Sequence, residues 1–352
     1  MNETEPIQKI RVKTVLVTIG IVAIVLTLAT IIVIYFFPRN HMISRIRTVL
    51  PFPAIIINGT HAIVFHDIDT DLASIRRFYE SQSDDLSKAG IRIDFSTPDG
   101  EKRLMIREKE LLNKMVEDVA IRMLAQDRNI VVTQDEVSRA VSQKISALGN
   151  NQEDVSKKLN TLYGWTMTDF ERKIVQPEIY KDELTKVYMQ SVDTSTQAKK
   201  QIEEANKSLK QGDSFQDVAK KYSEGQTAQE NGELGWIPVS LLAPEISQAI
   251  QKQKIDQLTD VVESPLGFHI VAVEERKQEQ GQEIVRLKQI FTRKITFSDW
   301  LTQQMKQMNI VVLFKGYMWD KETARIEFKQ PDMKDFEADI LQKSQGDASV
   351  LF

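Results

Sequence analysis

The sequence has no cysteine among its 352 residues and only four histidines, His41, His61, His66 and His269. The absence of cysteine excludes disulfides, cysteine-ligated zinc and thiol nucleophiles, and it leaves the redox compartment undetermined. The histidines are too scattered to form a catalytic triad or a metal pair, so a hydrolase finds no support. We therefore expect neither a metal nor a cofactor.

Neither sign of charge is in large excess, because 46 basic residues face 50 acidic ones and the net charge is −4. A nucleic-acid-binding protein usually carries a broad basic face, so nucleic acid is not an expected partner. The length is sufficient for two domains with separate hydrophobic cores.

Residues 14–37 form a long apolar run without a charged side chain. As a helix this run would span roughly 36 Å, enough to cross a hydrocarbon layer of about 30 Å. Bulky residues, Tyr35 to Phe37, end the run where a cleaved signal peptide would have small ones, which favours a retained anchor. The sequence thus predicts a transmembrane helix over 14–37 that contacts membrane lipid, in a single-pass membrane protein. Basic residues flank the run equally, so its orientation stays open under the positive-inside rule.

Apolar residues between 54 and 186 recur mainly at helical spacing. A hairpin is predicted first, since Asn58-Gly59 separates two short β-branched runs. Thr133 and Glu136 then form a capping box before a helix that carries Val137 and Val141 on one face. No catalytic constellation occurs in this region, so we expect a mostly helical domain that is structural or binds a partner.

The pattern changes near Lys186 to alternating short helices and strands. We expect a strand over 187–192, helices over 198–209 and 215–222, and a helix over 241–251. Two more strands are expected near Val261 and over 268–273. With a strand in the intervening turn region, the order is strand, helices, strand, helix, strand, strand, which is a compact α+β domain.

Three motifs in this region occur in a fixed order. They are Phe215…Ala219…Tyr222-Ser223-Glu224, then Gly232-Glu233-Leu234-Gly235-Trp236, and then Gly267-Phe268-His269-Ile270. In this order and at these spacings, the stretch from Met189 to Arg276 resembles the parvulin-type (PpiC) rotamases. An apolar run and a helical domain before such a unit resemble the SurA/PrsA-type foldases, which implies a SurA-N-like chaperone domain and an extracytoplasmic location for the bulk of the chain.

The resemblance implies peptidyl-prolyl cis–trans isomerisation of X-Pro bonds in exported polypeptides, a reaction that breaks no bond. It implies that His269 and Glu224 are catalytic, with unfolded or proline-containing polypeptides as clients. The residues expected to bind substrate are Leu234, Trp236, Leu242, Ile246 and Phe268. All but Trp236 are equally expected of an ordinary core.

Two departures from the family pattern bear on activity. In relatives a pair of histidines lies below the proline pocket, and on the alignment of the first strand Met189 takes the place of the first one. Gly225 takes the place of a cysteine or aspartate. A catalytically weak holdase that binds unfolded secreted proteins is therefore the alternative to an active isomerase.

The predicted fold class is α+β, with an N-terminal transmembrane helix, a mostly helical domain and a parvulin-like domain. The oligomeric state cannot be read from the sequence. The predicted boundaries are 1–13 for an N-terminal tail, 14–37 for the anchor, 38–53 for a linker, 54–186 for the helical domain, 187–276 for the parvulin-like domain, 277–326 for a C-terminal appendage that packs on the other domains, and 327–352 for a polar tail expected to be disordered.

Overall fold

The structure is a computed structural model that describes Tyr35 and residues 51–82, 94–147, 151–251, 253–279, 281–313 and 315–343. The chain forms two compact units. The first combines the described residues up to Leu184 with those from Thr302 onward, and the second is Thr185–Leu301. The second unit is thus inserted in the sequence of the first.

The predicted membrane anchor over 14–37 lies outside the described residues, apart from Tyr35. Within the described part of the chain, no helix is both long enough and apolar enough to cross a membrane. The helix Pro98–Gln126 has sufficient length, at 29 residues, but it carries charged side chains throughout, including Lys102, Arg103 and Arg107. The prediction of an N-terminal transmembrane helix and of a single-pass membrane location is corrected accordingly.

The first unit begins with the predicted hairpin, in which β1 (Pro53–Ile57) pairs antiparallel with β2 (His61–Val64). Asn58 and Gly59 both have positive φ, 49° and 72°, as a type I′ turn requires. A third strand, β7 (Ile310–Val312), pairs antiparallel with β1 on its other side. The region predicted as a C-terminal appendage therefore contributes a strand to the sheet of the first unit.

Helices make up most of the first unit. Thr133 and Glu136 form the predicted capping box, in which the Thr133 N–H donates to Glu136 Oε2 at 2.8 Å. The bounds are α1 Phe65–Ser81, α2 Pro98–Gln126, α3 Gln134–Ala147, α4 Gln152–Tyr163, α5 Met167–Phe170, a π-helical turn Glu171–Val175, and α6 Gln176–Ser191.

The segment predicted as a disordered polar tail is folded over most of its length. The hairpin of β8 (Tyr317–Asp320) and β9 (Arg325–Phe328) leads into a helix, α11 (Pro331–Lys343). Met333 and Ile340 are buried although polar residues surround them in the sequence, which explains why the helix was missed. Residues 344–352 lie outside the described part.

A charged cluster joins α2 to this C-terminal segment. The buried Lys109 ammonium contacts Glu327 at 3.0 Å and Glu337 at 2.6 Å. Nearby, the Tyr317 hydroxyl donates to Glu108 Oε2 at 2.5 Å. Since both Lys109 and Glu108 are buried, each depends on these partners.

In the second unit, α7 (Thr196–Lys210) and α8 (Phe215–Tyr222) precede β3 (Glu233–Pro238) and α9 (Pro244–Gln251). Three strands follow. The strands are β4 Val262–Glu263, β5 Gly267–Glu279 and β6 Gln282–Arg293, and α10 Phe297–Gln307 comes after them. The sheet is antiparallel with the order β3-β6-β5-β4.

The strand predicted over 187–192 is instead the end of helix α6. Tyr188 is buried there against Phe297 and Trp300, with ring centroids 5.7 and 5.3 Å away. The predicted order begins with a strand that precedes the helices in the chain. In the structure, the strand at the centre of the sheet is instead the last one in the chain, β6, which lies between β3 and β5. The observed order is therefore helices, strand, helix and three strands, and the sheet runs beyond the predicted boundary at 276.

Each face of this sheet has its own core. On one face, α7 and α8 pack with Phe268, Ile270 and Ile290. On the other face, α9 packs through Ile246 and Ile250 on neighbouring residues of β5 and β6. This separation follows from the period of two along a strand, which sends successive side chains to opposite faces.

We predict that Lys109→Met lowers the free energy of unfolding by about 3 kcal/mol, because it leaves Glu327 and Glu337 without their cation. Urea denaturation followed by circular dichroism measures the change. Lys114→Met is the matched control on the same helix, since Lys114 pairs with Asp118 and its side chain is 52% exposed. The control should change the free energy by less than about 0.5 kcal/mol. Equal losses in the two variants would contradict the role given to the buried cluster.

Candidate active site

His269 lies on β5, and only 5% of its surface is exposed. Its Nε2 is 2.7 Å from Ser264 Oγ, and its Nδ1 is 3.2 Å from Gln289 Oε1 on the adjacent strand β6. The ring also stacks on Phe291, with centroids 4.8 Å apart. Both ring nitrogens thus have protein partners, which fixes the orientation of the imidazole.

Ser264 Oγ has four polar contacts. The backbone N–H groups of Leu266 and Gly267 donate to it at 3.2 and 3.3 Å, and the Gly267 carbonyl oxygen lies 3.3 Å away as an acceptor for its hydroxyl. The fourth contact is His269 Nε2. At the other side of the ring, the Gln289 carbonyl oxygen can only accept, so the His269 Nδ1–H donates to it.

Burial lowers the pKa of His269 below its ordinary value of 6.5, because the charged imidazolium loses water. The hydrogen bond to Gln289 and the negative charge of Glu245 oppose this effect but do not outweigh it. The site is therefore neutral at His269 at physiological pH.

Two glycines allow β6 to approach its neighbours. A Cβ on Gly232 would lie 2.6 Å from the Gln289 carbonyl oxygen, and Gly232 has a φ of +77°. A Cβ on Gly267 would lie 2.1 Å from the Thr292 carbonyl oxygen. The first close approach accompanies the hydrogen bond from the Gln289 N–H to the Gly232 carbonyl. Gln289 is paired in register with Val271, one position along from the pair of His269 and Phe291 on the same face, so its side chain reaches His269 diagonally.

Glu224, for which a catalytic role is predicted above, contacts the backbone of β6. Its N–H donates to the Phe291 carbonyl at 2.7 Å, and its carboxylate accepts from the Arg293 N–H at 2.8 Å. The neighbouring Ser223 Oγ accepts from the Phe291 N–H. These contacts anchor the part of β6 that stacks on His269, a positioning function that differs from contact with substrate.

Three of the five residues predicted to bind substrate lie together. Leu234, Leu242 and Ile246 pack in the cluster under α9 with Val271 and Val273. His269 lies two residues before Val271 on the same strand and therefore projects from the same face. Leu234 and Leu242 are half-buried, so part of this apolar surface remains accessible.

The other two predicted substrate residues, Phe268 and Trp236, lie on the opposite face. Phe268 is buried against α7 and α8, with Lys294 Nζ 5.2 Å from its ring centre. Trp236 is 41% exposed, is paired in register with Arg286, and has Lys277 Nζ 4.4 Å from its ring centre. Of the five residues predicted to bind substrate, Leu234, Leu242 and Ile246 therefore share the face of His269.

The assignment of Met189 to the first histidine position is wrong. Met189 is 72% exposed on α6, whereas Gln289 is the residue that contacts His269 from the neighbouring strand. Gly225 has a φ of −72°, and a Cβ there would meet nothing nearer than Ser223 Oγ at 3.7 Å and Phe291 at 3.9 Å. A side chain at position 225 would therefore fit without strain beside the ring that stacks on His269.

Three further residues of the site escaped the sequence analysis. The sequence predictions do not include Ser264 or Gln289 among the site residues. A polar residue in the alternation Val285, Leu287, Gln289 was the available signal for the second. Glu245 was not considered at all, although its Oε2 is buried without a hydrogen-bond partner among the described residues. Within the described ranges, no group of three or more histidine or carboxylate side chains could hold a metal ion.

Comparisons with known proteins find one matching family model and several similar sequences. The family model described as "Rotamase: PPIC-type PPIASE domain" matches residues 183–275, about a quarter of the chain. Chaperone SurA from Methylobacillus flagellatus is 32% identical over 123 residues, which cover 33% of this chain and 28% of the relative. Chaperone SurA from Bordetella avium is 32% identical over 127 residues, 34% of this chain and 25% of the relative. The matches thus span about a quarter of the length of these curated relatives.

Among solved structures, PrsA from Bacillus subtilis is similar at 19% identity, covering 69% of this chain and 78% of that one, with a TM-score of 0.20. PrsA from Bacillus anthracis gives 21% identity over 67% and 97% of the two chains, with a TM-score of 0.19. TM-scores this low do not show a shared overall arrangement. The resemblance of this part of the chain to PPIC-type rotamases and to chaperone SurA is confirmed.

We predict that the second unit loses stability as the pH falls from about 7 to 5. Because the pKa of His269 is lower in the folded state, the unfolded chain takes up the proton at a higher pH than the folded chain does. The free energy of unfolding therefore begins to decrease as the pH falls through 6.5, and it continues to decrease until the pH passes the folded-state pKa. Thermal unfolding of the wild type and of His269→Gln across this range measures the effect, which the variant should show less strongly. An imidazole titration by NMR with a midpoint above 6.5 would contradict the assignment.

Proposed function

We propose, on the premise that residues 183–275 belong to the PPIC-type peptidyl-prolyl isomerase family, that this chain isomerises X-Pro bonds in unfolded or proline-containing polypeptides. One observation carries the proposal: a buried neutral His269, held by Ser264 and Gln289, projects from the same sheet face as an accessible apolar surface. That surface consists of Leu234, Leu242 and Ile246, and we call it the apolar surface below.

The chemistry of the reaction suits such a site. Rotation about an X-Pro amide meets a barrier of about 18–20 kcal/mol because resonance must be lost, and it takes tens to hundreds of seconds unaided. Resonance places negative charge on the carbonyl oxygen and positive charge on nitrogen, so the planar amide is more polar than the twisted one. Transfer from water to an apolar surface therefore favours the twisted state and lowers the barrier.

The roles of individual residues follow from their contacts. The apolar surface takes the prolyl ring, and Leu242 is its accessible part on the segment leading into α9. The neutral His269 network supports the polar end of the site, where the amide rotates. Ser264, Gln289 and Glu224 position this network. Glu224 acts through the backbone of β6, so we assign it no direct contact with substrate.

A second function, binding without catalysis, is favoured by the exposed apolar residues of the same unit. Leu241 is 76% exposed and Leu266 is 68% exposed, and both lie in segments that lead into site elements. Exposed apolar side chains can hold unfolded segments by apolar contact. A chaperone of this kind would suppress aggregation of an unfolded client while leaving prolyl exchange at its background rate.

We predict that Leu242→Ala lowers kcat/KM for a proline peptide about tenfold, a loss of about 1.4 kcal/mol that is consistent with removing most of a leucine side chain. Two-dimensional NMR exchange on a panel of proline peptides measures the rate. His269→Ala should lower it as well. Trp236→Ala is the control, because Trp236 lies on the opposite face and its removal should leave the rate unchanged. If the wild type leaves proline exchange at its background rate but still suppresses aggregation of an unfolded client, the isomerase hypothesis is rejected in favour of the holdase hypothesis.

We further predict that Gly225→Asp increases the exchange rate at least about tenfold, because it places a carboxylate in a partly desolvated site where charges interact strongly. Gly225→Ala is the matched control, since it makes the same backbone change without the charge. The backbone at Gly225 accepts either side chain without strain. Equal rates for the two variants would show that position 225 contributes no polar interaction to the reaction.

A further inference from the structure

Glu245 is a charged residue of the site that the isomerisation described above does not use. It lies in the first turn of α9, three residues after Leu242 and next to Ile246. Its Oε2 is buried and has no hydrogen-bond partner among the residues that the structure describes. A buried carboxylate oxygen without a donor is costly, so its retention calls for an explanation.

The charge of Glu245 acts on the site, because it is one of the influences on the pKa of His269, opposing the effect of burial. Its position agrees with this, since the next residue of α9, Ile246, belongs to the apolar surface and Leu242 lies in the segment that leads into α9. The carboxylate therefore adjoins the apolar surface through Ile246 and is close enough to His269 to act on its charge.

The cations that contact the neighbouring elements are engaged elsewhere. Arg276 donates to the Ile250 and Gln253 carbonyls at the end of α9 and pairs with Glu283 at 2.6 Å. Lys294 contacts Glu263 at 2.7 Å and the Ser264 carbonyl at 3.0 Å. Within the described part of the chain, neither cation forms an ion pair with Glu245.

We propose, building on the isomerase function above, that Glu245 determines specificity by pairing with a lysine or arginine of the client that flanks the proline. Glu245 as a whole is half-buried, so one side of its carboxylate can be approached. A cation satisfies a partly buried carboxylate better than a neutral donor does, because a charge-assisted hydrogen bond is about twice as strong. The methylene chain of lysine or arginine packs along Leu242 while its charged end reaches Glu245. Clients with basic residues beside proline are thus the favoured class.

The test compares tetrapeptides that carry lysine, the uncharged norleucine or glutamate directly before or directly after proline. Exchange rates come from two-dimensional NMR, and dissociation constants come from chemical-shift titrations of the full chain. We expect kcat/KM for the better lysine peptide to exceed that of its norleucine counterpart about tenfold. Added salt should reduce this preference, since the pair remains partly exposed.

The decisive variant is Glu245→Gln, which should reduce the lysine preference to less than about twofold while leaving the norleucine peptide nearly unchanged. Glu203→Gln is the matched control, because Glu203 is exposed on α7, which covers the other face of the sheet. The control should keep the full preference.

The outcomes separate this proposal from the isomerase function. If no peptide is turned over but lysine peptides still bind about tenfold more tightly than norleucine peptides in a Glu245-dependent way, the specificity stands and the catalysis fails. Equal binding and turnover of lysine and norleucine peptides would overturn the specificity alone. An equal loss for all peptides in Glu245→Gln would also overturn it, because Glu245 would then bind a backbone N–H or only support α9.

Discussion

The pairing of β6 between β3 and β5 is the interaction on which the candidate site depends. It brings Gln289 and Phe291 beside His269, although they follow it by some twenty residues. The pairing requires the close backbone approaches at Gly232 and Gly267, where any Cβ would collide with a β6 carbonyl oxygen. Gly232 and Gly267, which begin the second and third of the three motifs that suggested a rotamase, are therefore explained by the geometry of β6, a strand that none of the motifs contains.

The alternation of side chains along β5 decides which residues can act together. His269 shares a face with Val271 and with the apolar surface, whereas Phe268, its neighbour in the chain, is buried under α7 and α8. A motif read as a list of residues does not show this, because in Gly-Phe-His the phenylalanine side chain lies on one face of the sheet and the histidine side chain on the other. Phe268 and Trp236, which are predicted to bind substrate, therefore lie on the face opposite His269, while Leu234, Leu242 and Ile246 lie together on its own face.

Local features of the fold could be predicted from the sequence, and long-range ones could not. The Asn58-Gly59 hairpin, the Thr133 capping box and helices α7 to α9 follow from spacing and turn residues within a few positions. The place of β6 depends on pairing with strands from elsewhere in the unit, so its alternating residues could not reveal that it lies at the centre of the sheet. The expectation of a leading strand then put Met189 where Gln289 belongs. In the first unit, β7 pairs with β1 across more than 250 residues, and no local pattern could indicate that partner.

The electrostatic balance of the site follows from these same contacts. His269 is kept neutral by burial, Gly225 contributes no side chain, and the Glu224 carboxylate accepts a backbone N–H of β6. Glu245 is then the carboxylate whose buried oxygen has no donor within the described residues. A neutral polar end and an apolar surface favour a twisted amide without discriminating between sequences, since every X-Pro bond has the same resonance. In the isomerase that we propose, any preference for a client must therefore come from groups beside the proline, and the Glu245 carboxylate at the start of α9 is a group whose charge can supply it.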